Sequence, residues 1–154
     1  MALDDDLVAA WTIHNRINSY FLDAVLPEVF RYKPDKGRTV CAQFCHMHQV
    51  RMLWLKSVDP TRLEGLEKLE PDTATLDGIK TELEKSGDAV ARLISDNLGE
   101  GQRVKGFKPT TVAFVLYLVS HESHHRGMAE LALRQSGSPI SDKASYGLWE
   151  WGSR

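Results

Sequence analysis

The sequence predicts an all-α protein, a four-helix bundle with longer crossover connections and a short C-terminal segment. Apolar residues recur every three or four positions in four long segments, which is the period of an amphipathic helix. Proline, glycine and charged residues fill the breaks between these segments. No stretch alternates apolar and polar residues for long enough to indicate a strand. Four amphipathic helices without strands are expected to pack on one another.

The first two helices are predicted from their apolar faces and their ends. The first runs from residue 5 to residue 30, and Pro27 disturbs its end. The second runs from residue 39 to residue 58, with Thr39 as its N-cap. Asp59-Pro60 ends it, because a residue before proline avoids the helical conformation. The second helix is apolar on most sides, so we expect it to be central.

The third and fourth helices follow a polar connection, residues 61–73, which has room for one short helical turn. The third helix is predicted over residues 74–98, with Gly87 as a weak point near its middle. The fourth begins at Pro109-Thr110 and reaches residue 135. The aromatic tail, residues 146–151, is predicted to form a short helix.

The length and composition indicate one domain spanning residues 1–154. A net charge of −2 gives no reason to expect nucleic acid or an anionic membrane as a partner. The acidic start lacks the pattern of a signal peptide. The longest apolar run, residues 112–119, is far shorter than the ~20 residues of a membrane span. We therefore expect a cytoplasmic protein with reduced thiols.

The fourth helix carries two histidines one turn apart, His121 and His125. Side chains at this spacing differ by about 40° and are neighbours. Their imidazoles can bind one metal ion at ~2.0–2.1 Å from each nitrogen. They share a stripe with four apolar residues, Phe114, Leu118, Met128 and Ala132, so we expect the pair to point into the bundle. The alternative is two ordinary histidines, each satisfied by a hydrogen bond.

A metal site needs at least a third protein ligand. The second helix offers His46 and His48, which lie about 200° apart and cannot both face one centre. It also offers Cys41 and Cys45, one turn apart, for which packing is the better explanation than a strained disulfide. His124 could replace His125 as a ligand, although we rank it below. The residues alone leave this choice open.

Two further residue types on the inner faces are assigned structural roles. His14 lies on the inner stripe of the first helix, and we favour a hydrogen bond to a neighbour over a place in a cavity wall. Trp11 and Trp54 are expected to belong to the core rather than to a ligand-stacking surface.

Two segments resemble signatures of the DinB-like family. The pattern Thr39-Val40-x-x-x-Phe44-x-His46-Met47, with Trp54-Leu55 following, is similar to the family's second helix. The segment His121-x-x-His124-His125-Arg126-Gly127 is similar to its fourth. The resemblance implies a four-helix bundle with a long crossover. It also implies one divalent metal ion held by His46, His121 and His125.

The resemblance has one departure and leaves the metal open. Met128 stands where the family usually has glutamine, so a polar group near the site is missing and the family's substrate mode is in doubt. Three imidazoles suit several metals. We expect Zn or Ni, with Fe or Cu as alternatives.

Three functions are compatible with such a site. The resemblance implies a metal-dependent enzyme such as a low-molecular-weight-thiol transferase, acting on an unknown small molecule. The first alternative is a metal-dependent hydrolase using metal-bound water, because His121, Glu122 and His125 also fit the zinc-peptidase pattern. Glu122 would then be the general base, although it lies about 100° from His121, towards the flank of the helix. The second alternative is a non-catalytic, metal-stabilised stress-response or binding protein.

The assembly state is predicted from the resemblance and from symmetry. DinB-like proteins are often dimers, and the two-fold dimer is the commonest oligomer. We therefore expect a homodimer. The apolar tail residues Leu148, Trp149 and Trp151 either cover the end of the bundle or join a partner surface.

Overall fold

The computed structural model describes residues 3–101 and 103–154. It contains five α-helices: α1 (Leu3–Asp23), α2 (Val40–Val58), α3 (Leu76–Gly99), α4 (Thr111–Gln135) and α5 (Asp142–Gly147). Short 3₁₀ turns lie at Pro27–Val29, Pro60–Leu63 and Trp151–Ser153. The described residues form no strand, which confirms the all-α bundle with a short C-terminal segment. None of the helices in these ranges is long and apolar enough to cross a membrane.

Threonine side chains set the first residues of three long helices. Thr39, Thr75 and Thr110 each accept a hydrogen bond from the backbone N–H three residues later. The first N–H groups of a helix have no partner within the helix, so such a cap stabilises its start. The predicted starts of the second, third and fourth helices are confirmed to within two residues.

The end of α1 differs from the prediction. The helix stops at Asp23 rather than continuing to residue 30. Leu26 adopts an extended conformation, with φ −69° and ψ 130°, because the ring of Pro27 disfavours the helical conformation before it. Pro27 then begins a separate 3₁₀ turn. The apolar periodicity of the sequence therefore continues beyond the last residue of the helix.

The tail also differs from the prediction. Its helix, α5, begins at Asp142 after the N-cap Ser141 and ends at Gly147, so it precedes most of the aromatic residues. Leu148 packs against the core, whereas Trp149 is exposed. The apolar tail therefore divides between covering the bundle and facing outwards.

The four long helices form a ring in which α1 packs on α3, α3 on α2, α2 on α4 and α4 on α1. α2 and α3 run parallel, since Cys41 lies beside Ala74 and His48 lies beside Ser86 further along both helices. A 19-residue helix is about 28 Å long. The connection of residues 59–75 must therefore return along that length, which makes it the crossover that was predicted.

At Gly87, α1 and α3 are in close contact. Trp11 donates a hydrogen bond from Nε1 to the carbonyl of Gly87 at 2.9 Å. A Cβ atom at position 87 would lie 2.2 Å from Nδ2 of Asn15. The residue predicted as a weak point of the helix is thus a close interhelical contact, where any larger residue would displace the Asn15 side chain.

The core consists of two apolar clusters with polar side chains between them. One cluster surrounds Phe21 and Phe44, and the other surrounds Trp11 and Phe114. Residues between the two clusters on each long helix are buried but polar; they are His14, Asn18, His48, Arg51, Ser86 and Glu122. We call these six residues the polar layer. It lies next to the predicted metal ligands.

Candidate metal centre

Helix α4 is rotated relative to the prediction. Its fully buried face centres on Leu118, Glu122 and Ala129, whereas His121 and His125 are only partly buried. The histidine pair therefore does not point into the centre of the bundle. It lies at the edge of the buried face, against α2. Glu122 occupies the interior position instead, where its carboxylate is hydrogen-bonded by residues of α1 and α2.

The structure brings the three predicted ligands together. His46 of α2 meets His121 and His125 of α4, and one ring nitrogen of each lies within 4.8 Å of one from each of the others. The ring centroids are 5.3 Å apart for His46 and His121 and 4.5 Å apart for each of the other two pairs. We call these residues the histidine triad. It closes only because α2 and α4 pack as neighbours.

A neighbouring amide fixes the orientation of one ligand. His125 donates from Nδ1 to Oε1 of Gln43 at 2.7 Å, and Gln43 is itself buried. The proton on Nδ1 leaves Nε2 with a free lone pair that faces the triad. Ligand histidines are commonly held in this way by a second hydrogen bond. Gln43 lies one turn before His46, so the sequence could have indicated it.

The nitrogen spacing fits a bound metal ion. Nε2 of His121 and Nε2 of His125 are 3.1 Å apart. Two nitrogens that bind one tetrahedral metal at ~2.0–2.1 Å lie about 3.3 Å apart. Nδ1 of His121 is buried and has no hydrogen-bond partner among the described residues. The donor set, three imidazoles without a carboxylate, suits a transition metal better than Mg²⁺ or Ca²⁺.

The environment keeps the triad neutral. Burial lowers the pKa of His46, with a smaller contribution from neighbouring positive charge. Burial also lowers the pKa of His121, although the negative charge of Glu122 opposes this effect. Burial, and then the other two triad histidines, lower the pKa of His125 to about 4. The neutral imidazole is the form that binds a metal. Protons therefore compete for these nitrogens only at a lower pH than for an ordinary histidine.

The remaining histidines lie outside the triad. His48 is fully buried on the α3 side of α2, where its ring nitrogens contact the carbonyl of Glu67 and the hydroxyl of Ser86. His124 is exposed, with its ring centroid 5.2 Å from that of His125. His14 is buried and hydrogen-bonds Glu122 at 2.9 Å, as the sequence had indicated. His48 and His14 are therefore structural in this fold.

Glu122 is the centre of the polar layer. Arg51 donates to both of its oxygens, from Nε to Oε1 at 2.6 Å and from Nη2 to Oε2 at 2.7 Å. His14 and Asn18 of α1 also contact Oε2, each at 2.9 Å. Burial raises the pKa of Glu122, but the Arg51 charge and these hydrogen bonds outweigh it and lower that pKa to about 2. The carboxylate is thus ionised and fully engaged.

Arg51 is the important residue that the sequence reasoning missed. It is fully buried, and its Nη1 donates to the carbonyl of Leu83 at 2.8 Å and to Ser86 of α3. Its guanidinium carbon lies 5.0 Å from the centroid of the Trp11 ring. A charged residue inside an otherwise apolar helix face was the available signal, because a buried charge requires a partner.

The fold and the site together define a class of protein: a four-helix bundle with a three-histidine candidate metal centre between its second and fourth helices. The family model described as the DinB family matches residues 2–149, nearly the whole chain. The chain therefore belongs to the DinB family. No curated protein matches it.

Proposed function

We propose that the protein binds one divalent transition metal ion through His46, His121 and His125. We further propose that it is a low-molecular-weight-thiol transferase whose activity depends on this ion. The observation that carries the metal proposal is the convergence of three imidazoles from two helices, with one ring nitrogen of each within 4.8 Å of the others. Zn and Ni are the first candidates, with Fe and Cu as alternatives. A metal ion held in this way supplies a Lewis-acidic open position that favours the thiolate form of a thiol.

The protein's own residues prepare the site in three ways. Burial keeps the triad imidazoles neutral. Gln43 holds His125 with Nε2 directed to the other ligands. The partial exposure of all three histidines leaves the site open to a small molecule.

The proposed reaction joins a thiol to an electrophilic carbon that bears a leaving group. The thiol releases its proton to solvent, and its sulfur forms a bond to the carbon. The leaving group departs with the electron pair of the broken bond. Neither an oxidant nor a reductant is required, so the thiol and the electrophile are the only reactants.

The position of Glu122 favours this reaction over the hydrolase alternative. A general base must come within about 2.6–3.2 Å of the proton that it removes, directly or through one water. Both oxygens of Glu122 are held by Arg51 inside the bundle, on a different side of α4 from the triad. Its low pKa also makes it a weak base. The peptidase-like spacing of His121, Glu122 and His125 therefore lacks its base.

Metal content is the first test. The full chain, prepared without a histidine tag, is dialysed against each metal and analysed by atomic emission. We expect about one ion per chain in the wild type, and loss of most of it in His46→Ala, His121→Ala and His125→Ala. His124→Ala is the matched control, because His124 is exposed next to the triad, and it should retain the metal. Full occupancy in His46→Ala would refute the triad.

Product analysis tests the reaction. The metal-loaded protein is incubated with a small thiol and an alkyl halide, and the thioether is measured by mass spectrometry with and without a chelator. We expect thioether formation that the chelator and His46→Ala abolish. Hydrolysis of an ester substrate without thiol, lost in folded Glu122→Gln by ~10²–10⁴, would favour the hydrolase instead. A metal-binding protein with neither activity would support the non-catalytic alternative.

A further inference from the structure

An aromatic surface continues directly from the histidine triad. Trp54 of α2, Phe107 of the connection before α4, and Tyr117 of α4 contact one another, with ring centroids 5.5–6.0 Å apart. We call these three residues the aromatic wall. The buried ring of Phe114 lies beneath them, with its centroid 5.3 Å from that of Trp54. The wall is therefore supported by the apolar core.

The wall touches a predicted metal ligand. The Tyr117 ring lies one helical turn before His121, and the two ring centroids are 6.1 Å apart with an interplanar angle of 30°. Nothing separates the triad from the wall along α4, because the residue that precedes His121 by one turn is Tyr117 itself. A molecule at the open side of the triad lies beside an aromatic face.

The wall is accessible to such a molecule. Tyr117 is 37% exposed. Leu53 and Leu116, which precede Trp54 and Tyr117 in the sequence, are 66% and 61% exposed. Trp54 and Phe107 are partly buried. An accessible apolar area beside a cluster of polar side chains is typical of a small-molecule site. In such a site a few polar groups orient the ligand and apolar groups bind the rest of it.

We propose that the ligand of the histidine triad is a thiol that carries an aryl group a few bonds from its sulfur, and that Tyr117 binds this aryl group. This inference rests on the proposed function, since it requires a metal ion held by the triad that would bind the thiol. Because the Tyr117 and His121 ring centroids are 6.1 Å apart, a ligand whose thiol lies at the triad needs only a short linker to bring an aryl group beside Tyr117. Aromatic pairs prefer offset-stacked or edge-to-face contacts at the centroid distances seen in the wall.

The test compares two thiols on the cobalt-loaded full chain. Co²⁺ at the triad gives visible absorption bands, and thiolate binding adds a near-ultraviolet band that reports affinity directly. The two probes are 2-phenylethanethiol and 1-propanethiol, whose thiol groups match and whose tails differ. The readout is the ratio of their dissociation constants, wild type against variant, so the general hydrophobicity of the aryl probe cancels.

We expect Tyr117→Ala to reduce the preference for 2-phenylethanethiol by roughly 3- to 10-fold, the usual value of one aromatic pair. Tyr117→Phe keeps the ring and should keep the preference. Leu131→Ala is the matched control, because Leu131 is an apolar residue on α4 that is 46% exposed and lies away from the wall. It should leave the ratio unchanged.

Three results would overturn the inference, and they differ in what they leave standing. If Tyr117→Ala lowered the affinity for both thiols equally, Tyr117 would only support the position of His121. If Tyr117→Ala halved the mass measured by light scattering and left the ratio of the two dissociation constants unchanged, the wall would be assigned to contact with a second copy of the chain. Either result leaves the proposed function intact. The absence of cobalt bands in the wild type would refute the metal site and, with it, this inference.

Discussion

Glu122 and His121 are adjacent in sequence, yet their surroundings on α4 are opposite in kind. Glu122 faces the interior, where hydrogen bonds from Arg51, His14 and Asn18 engage its two oxygens. His121 faces the seam with α2, where its Nδ1 lacks a hydrogen-bond partner among the described residues and its Nε2 meets another histidine nitrogen. A buried polar group that lacks a partner is costly. Within the polar layer Nδ1 of His14 lacks a partner among the described residues, but the Glu122 carboxylate is fully paired by protein groups. The triad, by contrast, is the cluster that a bound metal ion would complete.

The contributions of the two regions to stability should therefore depend differently on metal. The polar layer joins all four long helices, since Glu122 and Arg51 connect to His14 of α1 and Ser86 of α3. Its loss should destabilise the protein whether or not a metal is present. The triad joins only α2 and α4, and its contribution should depend on the metal concentration.

The largest expected effect is on the interior ion pair. Glu122→Leu and Arg51→Met should each lower the free energy of unfolding by about 3–5 kcal/mol, because each leaves a buried charge unpaired. The double variant should be more stable than the sum of the two losses predicts, since neither charge remains. Urea unfolding measures all three.

The control for the ion pair lies on the same helix. Glu130 and Arg134 form an i,i+4 pair at 3.0 Å, with Arg134 exposed. Glu130→Gln should change the free energy of unfolding by only about 0.3–0.5 kcal/mol. Additive losses in the Arg51 and Glu122 variants would mean that the two residues do not act as a pair.

The second effect is stabilisation by metal. At a free Zn²⁺ or Ni²⁺ concentration of about 100 times Kd, binding to the folded state alone adds about 2.7 kcal/mol. Thermal unfolding of the wild type should shift upwards accordingly, and that of His124→Ala should shift equally. A shift of the same size in His125→Ala would place the metal elsewhere.

The third effect is a loss of stability in acid that His48 contributes. Burial lowers the pKa of His48 below the ~6.5 of the unfolded chain. As the pH falls through 6.5, the unfolded chain takes up a proton that the folded chain refuses, so the free energy of unfolding decreases. Metal-free His48→Gln should lose less stability than the wild type between pH 7.5 and pH 5.5. His124→Gln, at an exposed position, should follow the wild type; identical pH slopes for both variants would contradict the assignment.

The smallest expected effect concerns the tail and the assembly. We expect light scattering to give twice the chain mass of 17.4 kDa, a homodimer. Leu148 packs on the core, and Arg154 donates to the carbonyl of Gly147 and lies over the Tyr20 ring. A deletion from residue 146 should therefore keep the dimer and lower the melting temperature by roughly 2–4 °C per kcal/mol lost. A single-chain mass for the full chain would refute the dimer, and dissociation on deletion would assign the tail to the interface.

The helices and the triad were predictable because their signals are local or are carried by the family resemblance. The apolar period, the Thr39 cap and the proline residues in the breaks located three long helices to within two residues. The end of α1 was not, because periodicity continued across Pro27 while the backbone turned. The triad followed from the resemblance, which supplied the partner that spacing on α4 could not choose.

The rotation of α4 was the main error, and its cause is a contact between distant residues. His121 was placed on the inner face, and Glu122 was assigned to the flank because it lies about 100° from His121. Arg51, 71 positions earlier, pairs with Glu122 in the interior instead. A sequence read one helix at a time does not show that pairing. The aromatic wall escaped notice for the same reason, since it combines α2, α4 and the connection between α3 and α4.

The ring order of the helices has a consequence for the newly made chain. His46 leaves the ribosome long before His125, and at 5–20 residues per second the interval is roughly 4–16 s. During this time α2 has no α4 to pack against, and the crossover must first return the chain so that α3 can pack beside it. His46 therefore waits as a lone imidazole with weak affinity for any ion. On the proposed function, metal binding must therefore follow synthesis of the fourth helix and its packing on α2, so an ion at the triad would mark a chain that has reached this stage of folding.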